Sequence, residues 1–149
     1  MISEKVGNLL IAPVQGIIHQ CNCFHIMGGG IAVQIKQLYP TAYLADLQTV
    51  CGDAKKLGTF SMAKIKNKYI FNLYGQFDLC SGRQTSYDAL YNGLLSIRAY
   101  AKHNNIKTLG IPKNLGCGLG GGSWSIVYAI ISEVFKDSDT EIEIYRLTD

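Results

Sequence analysis

The stretch Leu109-Gly-Ile-Pro-Lys-Asn-Leu-Gly-Cys-Gly-Leu-Gly-Gly-Gly-Ser-Trp124 runs from a short apolar segment through a glycine-dense loop to a predicted helix start. Five of the seven residues from Gly116 to Gly122 are glycine. A regular helix or strand is excluded there, because each glycine costs backbone entropy and offers no side chain to pack. Unpaired N–H groups ahead of a helix attract anions, since the helix dipole favours negative charge. The stretch therefore predicts a phosphate-binding loop.

A second segment has the same organisation. A strand predicted over 16–22 is followed by Cys23-Phe-His-Ile-Met-Gly-Gly-Gly30 and by a predicted helix over 31–38. The spacing of Gly28-Gly-Gly30 is not the Gly-x-Gly-x-x-Gly fingerprint, and no Gly-Lys-Ser/Thr follows either loop, which argues against a nicotinamide dehydrogenase and a phosphate-loop ATPase. A single cluster is explained by a tight turn, whereas two clusters between strand and helix favour a site for linked phosphates.

The remaining segments alternate between strand and helix patterns. Further strands are predicted over 7–13, 107–111 and 141–147, and a hairpin joins strands over 59–65 and 69–74. Helices are predicted to start after Thr41, Ser86 and Ser123, the last one burying Ile126, Val127, Ile130, Ile131 and Val134. This order predicts an α/β fold with a mixed sheet covered on both faces.

Length and composition limit the classes of protein to consider. The 149 residues predict one domain over 1–149, and the net charge of +3 comes without a basic run typical of nucleic-acid or membrane binding. Apolar stretches fall short of the roughly 20 residues of a membrane span, and no secretory segment opens the chain. Five scattered cysteines predict reduced thiols. We therefore expect a cytoplasmic protein.

Several short motifs together resemble the macrodomain family, in particular the branch of the ADP-ribose 1″-phosphate phosphatases and terminal ADP-ribose glycohydrolases. The order and spacing of the motifs carry this resemblance from about Gly7 to Tyr145. They are Gly7-Asn8, His19-Gln-Cys-Asn22, Met27-Gly-Gly-Gly-Ile-Ala32, Leu57-Gly58, Asn72-Leu-Tyr-Gly-Gln76, Arg83-x-Thr-x-Tyr87 and Gly116-Cys-Gly-Leu-Gly-Gly-Gly-Ser-Trp124. The resemblance implies a three-layer α/β/α sandwich that binds ADP-ribose at the strand ends.

The resemblance also implies a set of binding residues. Asn8 stands where the family usually has an aspartate that reads the adenine amino group, and Leu9 follows it. Asn22 matches an asparagine that faces the distal ribose and is a candidate for the reaction as well as for binding. The two loops along the diphosphate would be formed by Gly28, Gly29, Gly30, Ile31 and Ala32 and by Leu115, Gly116, Cys117, Gly118, Leu119, Gly120 and Gly121.

His25 is the catalytic candidate, because it follows Asn22 and a histidine near neutral pH can act as acid or base. The alternative is a histidine that packs on its loop and bonds a carbonyl. Ser123 replaces an aspartate that many relatives carry before the tryptophan. The terminal glycohydrolases use a lysine and an aspartate, and here Gln76 or Phe77 and Gly120 stand near those positions. The route through a lysine adduct is therefore not expected.

Other side chains have ordinary explanations beside functional ones. His19-x-Cys-x-Cys-x-His25 lacks zinc-knuckle spacing, so we predict no metal site and assign Cys21 to packing. Cys117 is either a reactive thiol before a helix or a small side chain fitting a tight loop, and the second is preferred. Tyr74, Phe77 and Trp124 could wall the ligand, although Trp124 is better explained as an anchor to the core. Asp78 and Lys113 are flanking acid and base candidates.

The function expected from the sequence is hydrolysis of ADP-ribose 1″-phosphate to ADP-ribose and phosphate. One alternative is removal of ADP-ribose from protein or nucleic acid, and another is a non-catalytic ADP-ribose reader. We expect a monomer whose partner is a small molecule, with no cofactor, no membrane association and no strong nucleic-acid signal.

Overall fold

A computed structural model describes residues 1–79 and 82–148. Six strands form one sheet in the order β1-β6-β5-β2-β4-β3. The strands are β1 Ile2–Val6, β2 Gly16–Cys21, β3 Phe60–Ile65, β4 Lys68–Tyr74, β5 Thr108–Pro112 and β6 Glu141–Arg146, and the helices are α1 Gly30–Leu38, α2 Pro40–Leu47, α3 Tyr87–His103 and α4 Trp124–Phe135. Neighbouring strands are parallel except for the antiparallel β3–β4 hairpin. The predicted mixed sheet is confirmed.

The sheet lies between two helix layers with separate cores. Successive residues of β2 point to opposite faces, so Ile17 packs with Ile35 of α1 and Ala42 of α2. Its neighbour Ile18 packs with the α3 and α4 residues on the other face. The three-layer α/β/α arrangement predicted from the resemblance is confirmed.

Local signals place two of the predicted helices correctly. Ser86 caps α3, its side chain accepting a hydrogen bond from the Ala89 amide. Ser123 precedes α4 but makes no side-chain capping bond, because its hydroxyl contacts that of Ser125 at 3.1 Å. Ser123 therefore precedes the helix as predicted, but its side chain does not cap the helix.

Some predicted elements are wrong. Residues 7–13 do not form a strand, because Leu9–Ile11 is a 3-10 helix capped by Asn8. The exposed edge strand β1 was not predicted, because its few residues carry no alternating apolar pattern. Helix α2 starts at Pro40, since proline suits the first helical position.

The apolar face of α4 also differs from the prediction. Ile126 is 43% exposed, whereas Phe135 is buried at the end of the helix with Val127, Ile131 and Val134. Cys80 lies outside the described residues, as do Ser81 and Asp149. Within the described part of the chain, no helix is long and apolar enough to cross a membrane.

Candidate functional site

The two glycine loops meet because they leave neighbouring strands. β2 and β5 are parallel neighbours, with Gly16 opposite Leu109 and Ile17 opposite Gly110. The first loop follows β2 and leads into α1, and the second follows β5 and leads into α4. A cleft beyond the carboxyl ends of parallel strands is the usual ligand position in an open α/β sheet.

The cleft consists of two adjoining cavities. The loop cavity, of about 460 Å³, lies between the two glycine loops, and the edge cavity, of about 580 Å³, lies beside the ends of β1 and β6. Both are lined by Gly30, Ile31, Pro112, Lys113 and Asn114. An elongated ligand therefore has a continuous path past both glycine loops.

Most of the predicted binding residues line this path. The loop cavity is lined by Asn22, Gly28, Gly29, Gly30, Ile31, Ala32, Leu115, Gly116, Gly118, Leu119 and Gly120. The edge cavity is lined by Asn8 and Leu9 as well as by Gly30 and Ile31. Cys117 and Gly121 are absent from both linings.

Backbone N–H groups dominate the loop cavity. The amides of Gly118, Leu119 and Gly120 have no acceptor among the described residues, and neither do those of Gly28 and Gly29. Helix α1 starts at Gly30 without a side-chain cap, so the amides of its first turn are also open. Such amides and the α1 dipole favour an anionic ligand.

The helix that contributes to this anion site is α1 and not the expected α4. The Ser123 amide donates to the Tyr87 hydroxyl at 2.9 Å, and neither Ser123 nor Trp124 lines the loop cavity or the edge cavity. Trp124 packs against the core beside Tyr128, as preferred from the sequence. Only the loop ahead of α4 reaches the ligand path.

A set of polar contacts that the sequence did not reveal holds the second glycine loop. Thr85 donates its hydroxyl to the Gly116 carbonyl at 2.7 Å and its amide to the Gly120 carbonyl at 3.0 Å. The Gln20 amide group donates both to Thr85 Oγ1, at 2.9 Å, and to Gln76 Oε1, at 2.7 Å. These contacts therefore hold the second glycine loop in place, while the amides of Gly118, Leu119 and Gly120 stay without an acceptor among the described residues.

Glycine is required where this loop meets that support. A side chain at Gly120 would come within 2.3 Å of Thr85 Oγ1. Gly116 has φ of 73°, which glycine adopts at little cost, and a side chain there would also approach Gln20 Oε1 at 2.8 Å. These two glycines are explained by packing, whereas Gly118 has no heavy atom within 4 Å of its Cβ position and borders the ligand path.

The structure does not bring His25 to the cleft. Its Nε2 lies 2.9 Å from the Thr49 carbonyl oxygen and 3.2 Å from Thr49 Oγ1, and the residue lines neither cavity. The backbone at His25 is left-handed, with φ of 61°. This contact agrees with the alternative, a loop histidine bonded to a carbonyl, and the catalytic role of His25 stays a prediction.

Asn22 lines the loop cavity, but its side-chain oxygen and nitrogen form hydrogen bonds within its own loop. Asn22 Oδ1 accepts from the Phe24 amide at 2.9 Å, and Nδ2 donates to the Ile26 carbonyl at 2.7 Å. The side chain is 4% exposed. This geometry makes Asn22 a residue that shapes the first glycine loop, and it gives no support to the predicted part in the reaction.

Cys117 supports the packing interpretation. Its sulfur donates to the Leu115 carbonyl at 3.3 Å, and its side chain packs against the core below α3 and α4. Burial raises the pKa of the Cys117 thiol. The thiol is therefore protonated at neutral pH and is not an activated nucleophile.

A buried polar chain lies beneath the first glycine loop and was not predicted. His19 Nε2 lies 2.7 Å from Asn72 Oδ1, Asn72 donates to Ser61, and the Tyr74 hydroxyl lies 2.7 Å from Ser61 Oγ and donates to Asp46. Burial lowers the pKa of His19 to about 4 and raises that of Cys21 well above its usual value. His19 and Cys21 are therefore neutral at pH 7, and Tyr74 lies in the core and not against a ligand.

The other candidates lie around the cleft in different ways. Phe77 packs edge to face on Phe24, with ring centroids 5.0 Å apart, and lines neither the loop cavity nor the edge cavity. Asp78 accepts from the Leu79 amide at 2.7 Å. Lys113 lines both cavities, and its ammonium lies 3.8 Å from a Glu4 carboxylate oxygen. No three His, Cys, Asp or Glu side chains of the described residues are grouped so that they could hold a metal ion.

An open mixed sheet between two helix layers, with an anion-binding cleft at the ends of β2 and β5, defines an α/β ligand-binding domain. Residues 18–131 match the model of the Macro domain family. The chain belongs to this family.

Relatives include phage, animal and fungal proteins. A 17.5 kDa phage T4 protein from the tk-vs intergenic region is 39% identical over 82% of this chain and 81% of that protein. The ADP-ribose glycohydrolase OARD1 of Homo sapiens is 30% identical over 98% of this chain and 91% of that enzyme. The ADP-ribose 1″-phosphate phosphatase of Aspergillus oryzae is 51% identical over 43 residues, 28% of this chain and 21% of that enzyme.

Solved structures share the fold. The macrodomain of Mycobacterium tuberculosis DarG superposes with a TM-score of 0.84 at 24% identity, covering 97% of both chains. Thermosipho africanus DarTG in complex with ADP-ribose superposes with a TM-score of 0.82 at 23% identity, covering 97% of this chain and 41% of that one.

Proposed function

We propose that the cleft of this macrodomain binds ADP-ribose, with the adenosine in the edge cavity and the distal ribose in the loop cavity. The single observation that carries this proposal is the set of open amides that line the loop cavity, those of Gly28 and Gly29 in the first glycine loop and those of Gly118 to Gly120 in the second. A diphosphate is the anionic, linear group that fits such a set. The ADP-ribose complex of the structurally similar DarTG supports the same choice.

The walls of the edge cavity support a nucleoside at that end. Leu9, Leu10, Ile31 and Tyr145 supply apolar surface of the kind that contacts a flat base. Lys113 stands where the two cavities join, and its charge adds to the attraction of a diphosphate.

The reaction we propose is hydrolysis of ADP-ribose 1″-phosphate. The segment shared with the Aspergillus oryzae phosphatase supports it. By the resemblance, Gln76 or Phe77 and Gly120 stand near the positions where the terminal glycohydrolases have their lysine and aspartate, so neither of those two residues is supplied near there. Lys113 is the one charged side chain among the described residues that line this cavity. Because so few charged side chains line this cavity, the open backbone amides would stabilise the negative charge of the phosphate group.

A second candidate is hydrolysis of ADP-ribose from a modified macromolecule. The observation that favours it is the similarity to OARD1, which extends over 98% of this chain, whereas the phosphatase similarity covers 28%. A reader without activity is the third candidate, since the catalytic candidates His25 and Asn22 both bond to groups of the fold outside the cleft or in their own loop.

Calorimetry with ADP-ribose, run beside a phosphate-release assay on the 1″-phosphate, tests the binding and the reaction separately. Gly118→Val is the matched variant, because its side chain enters open space at the cleft without a clash. We expect it to lose ADP-ribose binding while keeping the thermal midpoint of the unliganded protein. Absence of binding by the wild type would overturn the proposed function.

Phosphate release separates the candidate reactions once binding is established. Release from the 1″-phosphate supports the phosphatase. Loss of label from ADP-ribosylated protein or DNA, without phosphate release, supports the second candidate. Binding without either reaction supports the reader.

A further inference from the structure

Glu4 lies beside the two cations that line the cleft. It belongs to the edge strand β1, where it pairs with Ile144 of β6, and its Oε1 lies 3.8 Å from Lys113 Nζ and 3.8 Å from Arg146 Nη1. None of the described residues that line the loop cavity or the edge cavity is Asp or Glu. Glu4 therefore places a negative charge behind a ligand path whose described charged side chains are positive.

The contact between Glu4 and these cations is loose. A separation of 3.8 Å is too long for a hydrogen bond, so the N–H groups of Lys113 Nζ have no hydrogen-bond acceptor among the described residues. The Glu4 side chain is 50% exposed, and those of Lys113 and Arg146 are 34% exposed. The Lys113 ammonium can therefore donate to an anion in the cleft without first breaking a hydrogen bond.

The Glu4 carboxylate also acts on an anion bound at Lys113. A ligand oxygen within hydrogen-bond distance of Lys113 Nζ would lie within about 7 Å of Glu4 Oε1, which is less than the Debye length of about 8 Å at physiological ionic strength. Solvent ions screen charges only partly at that separation, so the two anions repel each other. An ion pair as exposed as this one contributes little to holding Lys113 in place, so the repulsion is the larger effect.

We propose that Glu4 weakens the binding of ADP-ribose by opposing the charge of its diphosphate, and that it thereby favours release of this ligand from the cleft. The proposal rests on the proposed function, which places the diphosphate beside Lys113 where the two cavities join. ADP-ribose is the product of the proposed phosphatase reaction, so its release frees the cleft for the next substrate. Glu4 thus sets the affinity of the cleft without lining it.

Calorimetry with ADP-ribose on a series of charges at position 4 tests this proposal. We expect Glu4→Gln to raise the affinity about two- to fivefold at low ionic strength, and Glu4→Lys to raise it further. Glu4→Asp keeps the charge and should bind ADP-ribose as the wild type does. At about 1 M salt the Debye length falls to about 3 Å, so the gain in Glu4→Gln should disappear, a change that a purely structural effect would not show.

Glu133→Gln is the matched control, because it removes the same charge from another exposed pair, the one that Glu133 of α4 makes with Lys136 at 3.1 Å. Its affinity for ADP-ribose should equal that of the wild type, and the thermal midpoints of all these variants should change little, because the substituted side chains are exposed. Equal or lower affinity in Glu4→Gln, or a gain that persists at high salt, overturns this proposal. Absence of ADP-ribose binding by the wild type overturns the proposed function instead.

Discussion

Leu119 of the second glycine loop reaches across the cleft and contacts Gly29 of the first, since a Cβ added at Gly29 would lie 3.0 Å from Leu119 Cδ1. Leu119 is 73% exposed, so little else holds it in place. The two loops thus approach each other here, and the width of the cleft at this point depends on one glycine and one exposed side chain.

Gly29→Ala should weaken ADP-ribose binding by several-fold with little change in thermal midpoint. Gly29 has φ of −145°, which alanine adopts without strain, so the effect comes from the methyl group pressing on Leu119. Calorimetry with ADP-ribose measures the change in affinity. Leu119→Ala should restore affinity in the double variant, because contacting residues are not additive. Equal losses in the single and double variants would show that the contact is irrelevant to binding.

His25→Asn should lower the free energy of unfolding by about 1 kcal/mol, the usual value of a lost hydrogen bond. Asparagine tolerates the left-handed backbone at this position, so strain is not added. Urea denaturation measures the stability, and the phosphate-release assay measures turnover, which we expect to be unchanged. Loss of turnover with ADP-ribose binding retained would return His25 to the mechanism.

Thr85→Val should destabilise the fold by about 1–3 kcal/mol, because the Gly116 carbonyl and the Gln20 amide each lose a partner in a buried place. ADP-ribose affinity should fall too, since the second glycine loop loses its support. Thr85→Ser keeps the hydroxyl and is the control. Normal affinity in Thr85→Val would mean that backbone bonds alone hold the loop.

Acid should weaken the fold through His19. Its pKa is about 4 in the folded protein against 6.5 for an ordinary histidine, so between these pH values the unfolded chain binds more protons. Stability is therefore lost as pH falls from about 6.5 towards 4, up to about 3 kcal/mol in total. Urea denaturation at several pH values measures this loss.

His19→Gln is the control for that titration. Glutamine can donate to Asn72 as histidine does but does not titrate, so its stability should depend less steeply on pH over the same interval. Identical pH dependence in the two proteins would assign the acid sensitivity to other groups.

The strand and helix pattern was predictable because it depends on local chemistry. Apolar spacing gave α3 and the β3–β4 hairpin, and Ser86 marked the start of α3. The 3-10 helix after Asn8 and the edge strand β1 were not predictable, because short elements carry too few residues for a period to emerge.

The site was predictable in outline and not in its side chains. The glycine clusters between strand and helix predicted the two loops, because glycine adopts backbone conformations that other residues avoid. The contact of Gln20 with Thr85 spans 65 residues, and that of His25 with Thr49 spans 24. Contacts between residues so far apart in the chain cannot be predicted from a local sequence pattern.

By itself, the sequence determined the alternation of elements, the two glycine loops and the family that they resemble, because these depend on neighbouring residues and their spacing. Only the tertiary structure decided which way the functional side chains face. It turned His25 to Thr49, committed Asn22 to its own loop and oriented the Asn8 amide, because each direction follows from hydrogen bonds and backbone angles set by the folded chain.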